Sequence, residues 1–165
     1  MTNAADEPRR ELFLRDDLEQ ADVVRVHREA LRALRDGVEK ADIDAYSDLA
    51  WPPEVVPTYE QALAMAATEV AAGVRSGKSD PTGIGVDVRD DAQFDVLLAL
   101  VPYTIHAEAW RADHEIYSAS DTGTALCISV TAEEEARLMA RLDALGIPRT
   151  VFTTRPRRRR GLFRR

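Results

Sequence analysis

From Ala125 to Val130 the chain alternates strictly, with Leu126, Ile128 and Val130 on one side and Ala125, Cys127 and Ser129 on the other. That period of two predicts a half-buried strand. A shorter run, Glu115 to Ala119, predicts a strand before it, and Ser120-Asp121-Thr122-Gly123 supplies a turn in which Gly123 takes the left-handed position. At Thr131 the apolar period changes to 3.6, through Ala136, Leu138, Met139, Leu142 and Leu145. Thr131 with Glu134 three residues on predicts a capping box, and Gly146 followed by Pro148 predicts the helix end.

Upstream, Val24, His27, Leu31, Leu34, Val38 and Ala41 recur at spacings of three and four, predicting one long helix or two shorter ones over about 16–49, with Gly37 a weak point. The segment WPPEVVP from Trp51 to Pro57 predicts a turn or strap, because proline removes donors and extends the residue before it. A second helix is expected from Thr58, capped by Thr58 and Gln61 and ending near Arg75. Its many alanines suit packing on the first helix as a helical hairpin. The polar SGKSDPTG at 76–83 marks a break. Beyond it, Ile84, Val86 and Val88 predict a strand, Asp90 or Asp91 caps a helix through Phe94, Leu97, Leu98 and Val101, and Tyr103 to Trp110 alternates again. Residues 149–154 predict a last strand.

The expected fold class is α+β. Residues 1–15 read as a disordered N-terminus, 16–76 as a helical hairpin, 83–154 as a sandwich domain and 155–165 as a disordered arginine-rich tail. The element order β-α-β-β-β-α-β after Gly83 resembles a ferredoxin-like sandwich with an extra strand and a mainly antiparallel sheet. Element order alone does not fix function.

Composition adds a charge split. Residues 1–148 hold all 29 acidic side chains and 14 of the 22 basic ones, a formal charge of −15, against +8 for residues 149–165. Twenty arginines against two lysines, with abundant alanine, point to GC-rich coding and a bacterial source. A single cysteine forms no internal disulfide, MTNAADEPRR lacks the apolar core of a signal peptide, and no run reaches the roughly 18 apolar residues of a transmembrane helix. The expected location is the cytoplasm.

Candidate chemistry is thin. Gly77-Lys78-Ser79 resembles the end of a phosphate-binding loop, but Ala72 stands where the first glycine belongs, which favours a linker. Asp121-Thr122-Gly123 matches the tripeptide around an aspartic-protease carboxylate, which needs a second copy to share its proton; a hairpin turn wants the same residues. His106, Glu108 and His114 are weak candidates for metal ligands across a turn. His27 reads as a packing residue and Cys127 as a small mid-strand side chain. Seven arginines in the last eleven residues, Arg155, Arg157, Arg158, Arg159, Arg160, Arg164 and Arg165, form a basic arm that could contact nucleic acid or an anionic membrane, with Leu162 and Phe163 inserting.

No catalytic constellation is complete, and the body is strongly acidic. The expectation is therefore a non-enzymatic acidic protein-binding module without a cofactor, such as a small bacterial regulator or an immunity-type protein, with a protein partner that could be basic. The alternatives are an accessory protein that binds nucleic acid or anionic membrane through the tail, and a metal-dependent hydrolase.

Overall fold

The computed structural model describes residues 7–154 with the exception of 47 and 49. The chain runs β1 (Arg10–Leu14), α1 (Gln20–Leu34), β2 (Lys40–Ile43), α2 (Val56–Ala71), β3 (Ile84–Val86), α3 (Asp91–Leu100), β4 (His106–Arg111), β5 (His114–Ser120), β6 (Ala125–Val130), α4 (Ala132–Ala144) and β7 (Phe152–Thr153). All strands join one seven-stranded sheet in the order β3-β2-β4-β5-β6-β1-β7, and every neighbouring pair is antiparallel.

The segment from β5 through α4 forms as its residues dictate. The Thr131 hydroxyl accepts from the Glu134 N–H at 3.2 Å, and the Glu134 carboxylate accepts from the Thr131 N–H at 2.9 Å, closing the capping box. Gly146, at φ +70°, ends α4. There Ile147 N–H reaches the Leu142 carbonyl and Gly146 N–H the Asp143 carbonyl, which satisfies two free carbonyls of the last turn. Leu138, Met139 and Leu142 are buried, whereas Ala136 and Leu145 are exposed, so the apolar stripe is narrower than its sequence periodicity. Asp90 caps α3, accepting from Ala92 N–H at 2.9 Å and Gln93 N–H at 3.1 Å.

The N-terminal half departs from expectation. In place of a helical hairpin over 16–76 the chain makes β1-α1-β2-α2, and its two strands sit in the common sheet. The helical spacing through Val38 and Ala41 was a coincidence of register. α1 stops at Leu34, a short 3-10 turn spans Arg35–Gly37, and the period becomes two, with Ala41 and Ile43 buried and Lys40 and Asp42 opposite. Residues 10–14, expected to be disordered, alternate Leu12 and Leu14 in the core with Glu11 and Phe13 opposite, and pair with β6 and β7. Residues 1–6 lie outside the described residues.

α2 starts at Val56 without a side-chain cap, and Pro57 sits in its first turn, where the missing N–H costs no hydrogen bond; Thr58 is inside the helix. The 76–83 segment is a loop within the sheet rather than a boundary between units, because β2 before it pairs with β3 after it. The ferredoxin-like arrangement is corrected on the same grounds. The succession of elements from β3 to β7 occurs, but β2 separates β3 from β4, and β1 separates β6 from β7.

α1 packs between α4 and α3, and α2 packs on α3 and β3. These helices cover one face of the sheet, where Leu12, Ile43, Ala107, Ala109, Tyr117, Leu126 and Ile128 meet Val26, Leu31, Leu34, Leu97, Leu138 and Leu142. His27, wholly buried on α1, joins the layers. Its Nε2 lies 2.7 Å from the Gly123 carbonyl and its Nδ1 2.7 Å from the Tyr117 hydroxyl. A carbonyl only accepts, so Nε2 carries the proton and Nδ1 accepts from Tyr117.

Candidate functional site

With the helices on one side, alternate residues of the strands project from the other. Glu11 and Phe13 come from β1, Ala125, Cys127 and Ser129 from β6, and Ser118 and Ser120 from β5, where a register shift against Ala109 and Trp110 brings Glu115, opposite Trp110, to the same face. His106, Glu108 and Trp110 come from β4, with Lys40 and Asp42 from β2. None of these side chains is fully buried, whereas Leu12, Ala41, Ala107, Ala109, Ala119, Leu126 and Ile128 between them are, so this face has no covering layer among the described residues. An antiparallel sheet tolerates one wet face if that face is polar. This one is polar, but its middle is made of small side chains.

A shallow depression of about 130 Å³ lies there, lined by Phe13, Ser118, Ser120, Ala125 and Cys127 together with Leu14 and Leu126. The same face carries the carboxylates of Glu11 and Glu115, which act on Cys127, of Glu108, opposite Ser118, and of Asp42 one strand further, against one ammonium, Lys40. Their field shows on two neighbours. The Cys127 thiol is pushed up to about 11, first by partial burial and then by Glu11 and Glu115, so it stays a thiol near neutral pH and is a poor nucleophile. Lys40 is raised above its ordinary value by its hydrogen bond to Asp42, 2.8 Å away, and by the charges of Asp42 and Glu108.

The residues singled out for metal binding are only partly brought together. His106 Nε2 lies 3.2 Å from Glu108 Oε2. His114 pairs with Arg111 at the turn end of the β4-β5 hairpin, whereas His106 pairs with Ser120 at the other end. Five residues of strand, about 16 Å, separate the two levels. Among the described residues no three His, Cys, Asp or Glu side chains are grouped as metal ligands.

Asp121, Thr122 and Gly123 form a turn of three consecutive left-handed residues, φ +54°, +58° and +88°. It is pinned by Asp121 N–H to the Ile105 carbonyl at 3.2 Å and Thr122 N–H to the Thr104 carbonyl at 3.0 Å. Asp121 itself is exposed. A Cβ on Gly123 would lie 2.2 Å from the Pro102 carbonyl oxygen, so glycine is needed there for space as well as for φ. Gly77, Lys78 and Ser79 lie in the exposed loop after α2, not after a strand.

Two other concavities lie on the helix side. A groove of about 340 Å³ between α2 and α3 is lined by Gln61, Met65, Thr68, Gln93 and Val96 among others. A cleft of about 320 Å³ beside the start of α4 mixes Arg111 and Arg137 with Glu7, Asp36, Glu133 and Glu134, so the arginines offset only part of its negative charge. The tail residues 155–165 lie outside the described residues; Thr154, just past β7, precedes them.

Glu11, Phe13, Lys40 and Asp42 were missed as surface residues because β1 and β2 were missed. The available signal was the short alternation ELFL and KADI. No family model, curated protein or solved structure matches the chain. No helix among the described residues is long and apolar enough to cross a membrane.

Proposed function

We propose that the chain is a non-enzymatic acidic protein-binding module whose uncovered sheet face takes a basic segment of a partner protein, in the manner of a small regulator or an immunity-type protein. The observation that carries this reading is that Glu11, Glu115, Glu108 and Asp42 share one uncovered sheet face with the small residues Ser118, Ala125 and Cys127 and with Phe13 and Trp110. Small residues let a partner chain approach the sheet closely. Carboxylates give it orientation and speed the encounter, and the two aromatic rings offer the contact area that dominates interface energetics.

A lysine- and arginine-rich peptide titrated into the full chain should shift the amide resonances of β1, β5 and β6. Glu11→Gln with Glu115→Gln should weaken binding about tenfold, equivalent to about 1.4 kcal/mol for two partly desolvated charge contacts. Raising salt from 0.05 to 0.5 M should weaken it further. Shifts confined to the helices, or none at all, would exclude the face.

A second reading draws on the seven arginines of residues 155–165, which suit phosphate contacts on nucleic acid or an anionic membrane. It predicts retention of the full chain on duplex DNA, RNA or phosphatidylserine vesicles, lost when Arg157 to Arg160 are replaced by serine. Retention unaffected by that replacement would remove it.

A further inference from the structure

The uncovered face has a ready occupant in the chain itself. β7 is the last described element, at the sheet edge beside β1, and Thr153 stands opposite Phe13, one of the residues that line the depression. Because β1 and β7 are antiparallel, the chain leaves β7 in the direction of Glu11, which lies two residues before Phe13 on the same face. From β7 the sheet order crosses β1, β6 and β5 to β4. At about 4.8 Å per strand spacing, Glu108 on β4 is about 19 Å away and Asp42 on β2 about 24 Å. Eleven residues span up to about 36 Å. Residues 155–165 carry seven arginines and no acidic residue, while the face offers four carboxylates and one lysine. Arginine is also the cation best shaped to bind carboxylates in pairs.

We infer that residues 155–165 lie across the uncovered sheet face of their own chain and compete there with a basic partner, so that the tail is an internal inhibitor of binding. The inference rests on the reading that this face takes basic chains. Its size follows from tethering. A short tether gives an effective concentration on the order of 1 mM. If the free segment binds the face with a Kd of about 100 µM, the tethered one occupies it about nine-tenths of the time. A partner then binds about tenfold more weakly than to a vacant face.

The test compares the full chain with a full-length variant in which the seven arginines of residues 155–165 are replaced by serine. The described core contains none of these positions, and matching circular dichroism checks that both are folded. The probe is a synthetic peptide with the sequence of residues 155–165. The serine variant should bind it about tenfold more tightly. In the unliganded intact chain, the amides of Glu11, Ser118 and Cys127 should move toward the variant's positions as NaCl is raised to 0.5 M. Equal peptide affinities for the two proteins would overturn the inference and leave the binding face standing, whereas no binding by either would remove the reading beneath it. The amide differences should also be independent of protein concentration. A dependence on concentration would place the tail on a second copy and overturn the occupancy in cis.

Discussion

His27 has no solvent contact and gains nothing from a charge, so burial holds it down at about 4, only partly offset by its bond to the Gly123 carbonyl. The same burial pushes the Tyr117 phenol well up, so both groups stay neutral across the ordinary range. The unfolded chain protonates this histidine near 6.5, above the folded value, so acid favours unfolding. The stability is fully present above pH 6.5 and is lost as pH falls toward about 4, a difference on the order of 3 kcal/mol. Urea titrations at pH 7.5, 5.5 and 4.5 should show this slope, and His27→Gln should flatten it while lowering stability at neutral pH. An equal slope in both proteins would assign the acid sensitivity elsewhere. Gly123 makes a sharper demand on the same turn. Alanine there meets the Pro102 carbonyl and an unfavourable φ together, and Gly123→Ala should cost at least ~2 kcal/mol in chemical denaturation. The need for a left-handed residue was legible in the sequence at Gly123. The close approach to Pro102 was not, because it depends on how the α3-β4 connection folds back.

Among the elements, those whose signals lie within themselves were readable. α4 carries its start at Thr131 and Glu134 and its stop at Gly146; α3 carries Asp90; β6 alternates without interruption. β1 and β2 have five and four residues, and what makes them strands lies elsewhere in the sequence. Leu12 is opposite Ile128, and Ala41 is opposite Ala109. No local window holds that information, and with these strands went half of the carboxylates on the uncovered face. The edge strand β3 shows a further device invisible to patterning. Glu69 of α2 accepts from the Gly85 N–H at 2.8 Å, and Arg75, paired with Glu69 at 2.7 Å, donates to the Gly83 carbonyl at 3.0 Å. One ion pair thus occupies backbone groups that would otherwise invite another strand. Glu69→Ala should leave the fold intact and raise the rate of aggregation at high protein concentration, read by light scattering. Unchanged scattering would mean that the short length of β3 is protection enough.

For the molecule as a whole, the helices cover the apolar side of the sheet and no described element covers the acidic side, which on the proposed reading separates stability from recognition. Substitutions at Glu11 or Glu115 should change binding with little effect on unfolding, as expected for side chains outside the buried core. The candidate site was legible only as net charge, because the side chains that compose it come from β1, β2, β4, β5 and β6 and meet only in the sheet.

The position of β1 also sets an order of events. Arg10 stands opposite Val130 and Phe13 opposite Thr153, so the first described strand has no partner in the sheet until β6 has been made. During synthesis residues 10–14 must wait through α1, β2, α2, β3, α3 and the β4-β5 hairpin before β6 can receive them. Closing so long a loop adds little to equilibrium cost but slows the search for the native pairing. Refolding should therefore occur in milliseconds to seconds rather than microseconds. Leu12→Ala should mainly accelerate unfolding if β1 docks after the rate-limiting step, which stopped-flow measurements in urea would read directly.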